Sequence, residues 1–98
     1  MFLVRNVFHA KPGKAKELVA IFKKAQPLLE STDLVQNMRV LTDTVSTFWT
    51  VVIESEVEDL SAYMDMAKTV REKPEIGEAM KGYIELVTGG HREVLRIE

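Results

Sequence analysis

The sequence predicts an α+β fold whose strands and helices follow the order β-α-β-β-α-β. An apolar, β-branched run near the N-terminus meets a Pro-Gly turn and then an amphipathic helix. A two-stranded hairpin occupies the middle of the chain, and a helical stripe broken at Pro74 separates it from a last strand. These features predict a ferredoxin-like plait, with helices on one face of an antiparallel four-stranded sheet.

Composition restricts the classes of function. With 98 residues, the chain is predicted to form a single domain spanning 1–98. Its 46% hydrophobic and 29% charged residues are typical of a globular protein. The formal charge of -2 predicts no nucleic-acid partner, and the absence of cysteine excludes disulfides and thiolate zinc sites. Apolar runs too short to span a bilayer and the lack of a signal-peptide pattern predict a cytoplasmic protein without a membrane partner.

The first strand is expected from Phe2 to His9, which is apolar on both faces, as in a central strand covered on both sides. Arg5 and Asn6 interrupt it, one on each face. The Pro-Gly turn ends it, because proline lacks an N–H donor and glycine permits a positive φ. A helix from Ala15 to Leu29 follows, with apolar residues every three or four positions.

The hairpin is predicted from strands at Val35–Thr42 and Ser46–Glu54, joined by a turn at Asp43 and Thr44. The second of these strands is almost wholly β-branched or aromatic. Ser55 is expected to cap the second helix, because acidic residues follow it in the first turn.

The second helix carries an apolar stripe, breaks at Pro74 and continues in another piece. Gly89 and Gly90 are expected to stop that piece, and the last strand is expected over His91 to Ile97. The sheet as a whole is expected to be antiparallel. The right-handed crossovers nevertheless predict that strands one and three lie side by side in the middle and run parallel to each other. The last strand is expected at an edge, antiparallel to the first.

The central strands are apolar on both faces, although the helices cover only one. The first strand offers Phe2, Val4 and Phe8 to one side, and Leu3 and Val7 to the other. Soluble monomers rarely expose an apolar patch larger than roughly several hundred Å2. We therefore expect a homodimer in which two sheets pack face to face.

The run from Val7 to Leu18 resembles the strand, Pro-Gly turn and helix that open the dimeric α+β barrel proteins. That superfamily includes the antibiotic-biosynthesis-monooxygenase-like and NIPSNAP-like groups, and the element order is similar over nearly the whole chain. The resemblance implies a homodimer with a barrel between the sheets and a pocket between sheet and helices in each subunit. Some members are cofactor-free monooxygenases of polycyclic aromatics, some degrade haem, and many have no known activity.

Asn6 matches an asparagine that the haem-degrading members carry in the first strand. Those members also carry a tryptophan and a histidine on the second helix, and the stretch from Val57 to Glu72 has neither. The resemblance therefore argues against haem degradation. The anthrone-type monooxygenases use asparagine, tryptophan and histidine or arginine around the pocket, for which Asn6 and Trp49 are the matches. No cofactor is expected.

Asn6 is the candidate catalytic residue, because its amide could orient a substrate carbonyl or enolate. The alternative is an amide satisfied by neighbouring backbone or water. Trp49 could stack on an aromatic ligand or fill the core or the dimer interface. Five side chains of the broken second helix could line an adaptable pocket or form plain core: Tyr63, Met64, Met66, Met80 and Tyr83.

The two histidines, His9 and His91, fall at the same end of the sheet if their strands are antiparallel. They could share a metal or act in acid-base chemistry, or simply be surface histidines at strand ends. No metal site is predicted, because two histidines without a placed carboxylate provide too few ligands for zinc.

Arg5 and Arg39 are strand residues that need acidic partners, and Glu54 and Glu93 are the candidates. An ion pair and an anion site both fit them. Together these features predict a small homodimeric α+β barrel protein that binds a small hydrophobic molecule between sheet and helices, with cofactor-independent monooxygenase activity as the enzyme hypothesis. The alternative is a non-catalytic ligand-sensing or assembly module.

Overall fold

The computed structural model describes all residues, 1–98, and has the predicted α+β architecture. No helix in it has both the length and the apolar character needed to cross a membrane. The elements are β1 (Phe2–Ala10), α1 (Ala15–Glu30), β2 (Gln36–Thr42), β3 (Thr50–Val57), α2 (Leu60–Met64), α3 (Met66–Glu72), α4 (Pro74–Ala79), a 3-10 turn (Tyr83–Leu86) and β4 (Val87–Arg96).

The four strands form one antiparallel sheet in the order β2-β3-β1-β4. β1 lies between β3 and β4, and β4 is an antiparallel edge strand as predicted. The expectation that β1 and β3 run parallel was wrong. The crossover through α1 makes β1 and β2 parallel, and the hairpin then returns β3 between them in the opposite direction.

The core lies between one face of the sheet and the helices. Leu18 and Phe22 of α1 are fully buried there, as are Val4 of β1 and Val51 of β3. The Phe8 ring packs against Phe22 with ring centroids 4.9 Å apart. The alternation of β1 therefore directs its even-numbered side chains toward the helices and its odd-numbered ones to the other face of the sheet.

The second helical region is broken twice, at Asp65 and at Pro74, rather than at Pro74 alone. Asp59 caps α2, because its carboxylate accepts a hydrogen bond from the Ala62 N–H at 3.0 Å. The expectation that Ser55 is the cap was wrong. β3 continues past Ser55, whose side chain is buried in the sheet.

β3 begins at Thr50 and not at the predicted Ser46, because residues 43–49 form the hairpin loop. Asp43 closes that loop: its N–H donates to the Thr50 carbonyl at 3.1 Å, and its carboxylate accepts from the Thr50 N–H at 2.8 Å. Trp49 consequently lies in the loop rather than in mid-strand, and it is 42% exposed.

Gly89 and Gly90 lie in β4 and do not end a helix, which corrects the prediction. The helical region ends earlier, at Ala79, and Gly82 follows with a φ of +87° that favours glycine. Gly90 has a different role, because β4 approaches β1 so closely that a Cβ there would lie 2.2 Å from the Val7 carbonyl oxygen. Glycine is therefore required for this part of the β1–β4 pairing.

Gly90→Ala is expected to lower the free energy of unfolding by about 2 kcal/mol or more, because backbone rather than a flexible side chain would have to move. Urea denaturation followed by circular dichroism measures the change. Gly89→Ala is the matched control, since nothing lies within 4 Å of a Cβ at that position. Equal losses in the two variants would contradict the close approach at Gly90.

Candidate functional site

A cavity of about 520 Å3 lies between the sheet and the broken helical region. Twelve of its 19 lining residues are hydrophobic, and both size and lining are typical of sites for small molecules. Asn6, Phe8 and Ile53 contribute to its floor. Its helical wall includes Tyr63, Met66, Val70, Ile76, Met80 and Tyr83.

Three polar side chains converge at this cavity from three elements. Asn6 of β1 donates through Nδ2 to the Tyr63 hydroxyl at 3.0 Å, and its Oδ1 accepts from Nε of Arg92 at 2.6 Å. The Arg92 guanidinium lies over the Tyr63 ring, with Cζ 5.5 Å from the ring centroid. The Asn6 amide is thus satisfied by two side chains that themselves line the cavity, not by backbone.

The fold places these groups together by strand alternation and register. Asn6 shares the helix-facing side of β1 with Val4 and Phe8. Arg92 is the register partner of Asn6 in the β1–β4 pairing, so its side chain leaves the sheet on the same face. Tyr63 reaches them from α2, where its side chain is buried.

Arg92 has no carboxylate partner within the chain. Apart from Asn6 and the Tyr63 ring, its contact is a 3.5 Å approach of Nη1 to the sulfur of Met64. Glu85 is the one acidic residue in the cavity lining, and it forms no ion pair with Arg92. The Arg92 guanidinium therefore borders the cavity without a carboxylate that neutralises its charge.

A second cavity, of about 400 Å3, adjoins the first. Both are lined by Tyr83, Ile84, Asn6 and Arg92. The polar cluster thus borders both cavities, and the 3-10 turn that carries Tyr83 and Ile84 lies between sheet and solvent at this point.

The structure brings five of the residues considered for the pocket to the cavity between sheet and helices: Asn6, Tyr63, Met66, Met80 and Tyr83. Trp49 is not in the lining, because the hairpin loop holds it at the end of β1, where its carbonyl accepts from the Ala10 N–H at 2.9 Å. Met64 is 56% exposed and lies behind Arg92 rather than in the lining.

Sequence reasoning missed Arg92 as a site residue. The sequence shows it only as one of several polar positions on the last strand. Only its position could have indicated a role in the site. Arg92 shares a sheet face with Asn6 when the first and last strands are antiparallel and pair in the observed register. The register itself is not visible in the sequence.

The sheet face opposite the helices, here called the open face, carries both histidines. His9 and His91 lie on adjacent strands at the same end of the sheet, as predicted for antiparallel strands, and on one face, with ring centroids 6.4 Å apart. No group of three or more His, Cys, Asp or Glu side chains is arranged to hold a metal ion.

Charged side chains cross the open face as a chain of contacts, here called the charged ladder. Glu54 contacts both Arg39 and Arg5, Arg5 also contacts Glu93 at 2.9 Å, and Glu93 reaches His91 at 3.0 Å. The predicted acidic partners of the two arginines are confirmed. The hydrogen bond from His91, aided by the charge of Arg5, lowers the pKa of Glu93 below its ordinary value.

Comparison with known proteins identifies the fold. No protein-family model matches the sequence, and no curated protein is significantly similar to it. An uncharacterized NIPSNAP domain protein from Burkholderia xenovorans matches with a TM-score of 0.78 and 16% identity, over 100% of this chain and 95% of its own. A NIPSNAP family protein from Agrobacterium tumefaciens strain C58 matches with a TM-score of 0.78 and 10% identity, over 97% and 90%.

A solved antibiotic biosynthesis monooxygenase also matches, with a TM-score of 0.76 and 12% identity over 100% of this chain and 99% of its own. The chain thus has the fold of the NIPSNAP and antibiotic-biosynthesis-monooxygenase-like proteins, which confirms the resemblance seen in the sequence. At these identities the likeness is one of fold.

Proposed function

We propose that this protein binds a small, mostly apolar molecule in the cavity between sheet and helices. The observation that carries the proposal is the hydrogen-bonded cluster of Asn6, Tyr63 and Arg92 in a mostly apolar space of about 520 Å3. An apolar cavity with a few convergent polar groups is the usual form of a small-molecule site. Tyr83 adds an aromatic wall, with its ring centroid 6.1 Å from that of Phe8.

The cluster is rich in hydrogen-bond donors, and these indicate which polar group of a ligand it would bind. A guanidinium carries five N–H donors, and Arg92 gives the one on Nε to Asn6. Asn6 in turn has a second N–H on Nδ2 beyond the one given to Tyr63. The polar group of the ligand is therefore an oxygen that accepts hydrogen bonds.

A cofactor-independent monooxygenase is the enzymatic form of this proposal. Asn6 faces the cavity beside Tyr63 and Arg92, and these donors suit the oxygen of an enolate formed from an aromatic substrate. One structural neighbour is named an antibiotic biosynthesis monooxygenase. The non-catalytic alternative is a ligand sensor, which the cavity supports over a purely structural assembly module with a filled interior.

The same proposal includes a homodimer formed through the open faces of two sheets. Apolar side chains flank the charged ladder on this face, among them Val7, Val52 and Leu95, of which Leu95 is 49% exposed. The ladder contains two arginines and two glutamates in mutual contact, so burying it would leave no uncompensated charge.

Val70→Phe, which adds bulk to the cavity wall, should weaken binding of the neutral fluorophore N-phenyl-1-naphthylamine by about ten-fold, since overpacking costs roughly 1–3 kcal/mol. Fluorescence titration measures the dissociation constant. Lys68→Phe is the control, because Lys68 lies on the same helix but is exposed and outside the lining. Failure of the wild type to bind, or equal binding by Val70→Phe, would count against the cavity as a ligand site.

Asn6→Ala should lower oxygen uptake with anthrone as substrate by about 100-fold in kcat, the usual effect of removing one donor to an oxyanion. An oxygen electrode measures the rate, and fluorescence competition should show anthrone still bound within about three-fold. Anthrone that binds without any oxygen uptake by the wild type would eliminate the enzyme and leave the sensor.

Leu95→Asp should convert the dimer to a monomer, because the carboxylate would be buried unpaired between the two open faces. Size-exclusion chromatography with light scattering reports the mass. Val94→Asp is the matched control: it is the next residue, 40% exposed, and it points to the helix side of the sheet. A wild-type monomer at micromolar concentration would refute the dimer.

A further inference from the structure

We infer that the ligand of the cavity is an anion: a flat apolar molecule with one negatively charged oxygen group, such as an aryl carboxylate, that pairs with Arg92. The inference rests on the proposed function, since it names the class of molecule that the same cavity takes. It follows from the charge of the lining, the geometry of the guanidinium and the small number of donors.

Four arginines lie on the sheet, and three of them bear on the charge of the site; the fourth, Arg96, also has no carboxylate partner but lies outside the cavity lining. Arg5 and Arg39 each contact a carboxylate on the open face. Arg92, on the helix side, contacts an amide, a sulfur and an aromatic ring. The only other charged residues of the lining are Lys81 and Glu85, so the lining has a formal charge of +1 with Arg92 included. An unneutralised guanidinium beside an apolar surface favours an anion.

Arg92 is held in a fixed orientation by two neighbouring side chains. Nε is fixed by the Asn6 amide at 2.6 Å, and the guanidinium plane is supported by the Tyr63 ring. Nη2 makes no hydrogen bond within the chain. A guanidinium held in this orientation presents paired N–H donors that match the two oxygens of a carboxylate. Asn6 and Tyr63 thus act here as positioning residues for Arg92.

The number of donors distinguishes a carboxylate from a phosphate. One guanidinium and one amide N–H suit a single negative charge, whereas a phosphate dianion has more oxygens and more charge to satisfy. The apolar remainder of the lining, including Phe8, Met80 and Tyr83, suits a flat hydrocarbon body attached to that group.

The test compares 2-naphthoate with 2-naphthamide, two ligands of the same shape that differ in charge at about pH 7. Isothermal titration should show that the wild type binds the naphthoate about ten-fold more tightly, because hydrogen bonds to ionised groups are the stronger ones. Arg92→Met should abolish that preference by weakening naphthoate binding, while naphthamide binding stays within about three-fold. Arg92→Lys should retain part of the preference, because it keeps the charge but loses the paired N–H donors.

Arg96→Met is the matched control, since Arg96 is on the same strand and the same sheet face but outside the cavity lining. It should bind both ligands as the wild type does. If Arg92→Met does not fold, the comparison of the two ligands on the wild type and on Arg92→Lys still tests the inference.

Equal affinity of the wild type for the two ligands would overturn the anionic class and leave the cavity as a site for neutral molecules. Binding of neither ligand, nor of N-phenyl-1-naphthylamine, would overturn the proposed function as well. A preference for naphthoate that persists in Arg92→Met and disappears in Lys81→Met would overturn the assignment to Arg92.

Discussion

Much of this structure depends on how the central strand β1 satisfies two adjacent polar side chains. Arg5 and Asn6 follow each other in sequence and therefore leave the sheet on opposite faces. A polar group held away from water without a partner is costly, so each needs partners from neighbouring elements. Arg5 is paired with two glutamates, one on each adjacent strand, and Asn6 is bonded to Tyr63 and Arg92. A slip of one residue in either pairing would exchange the faces and separate both sets of partners.

The two faces differ in how the charges of their arginines are balanced. On the open face, Glu54 lies between two arginines, and its side chain is only 9% exposed although no helix covers it. That network is neutral within one chain and can be buried against another apolar surface. On the helix side, the network around Asn6 ends in a guanidinium with free donors at the wall of a cavity. The first arrangement suits an interface between two copies, and the second suits a ligand.

Alternation and composition predicted the order of elements, the acidic partners of the arginines and Asn6 as the polar interruption of β1. They could not predict features that depend on register or on competition between local structures. Trp49 lies in a stretch with strong strand propensity, but the hydrogen bonds between Asp43 and Thr50 close the hairpin loop around it. Arg92 could not be assigned to the site because its place opposite Asn6 follows from the β1–β4 register, which only the folded chain defines.

The cavity has no well-placed base to take a proton from a substrate, and this connects the anionic ligand with the enzyme hypothesis. The Asn6 amide is not basic enough to take a proton, and the one carboxylate of the lining, Glu85, is on an exposed position of the 3-10 turn. Oxidation by oxygen without a cofactor starts from an electron-rich anion, so such a reaction here would require a substrate that ionises readily by itself. A guanidinium aimed at the cavity lowers the pKa of a bound phenol or enol by stabilising its anion. Arg92 would then both select the ligand and generate its reactive form, whereas a carboxylate ligand would be bound without reaction.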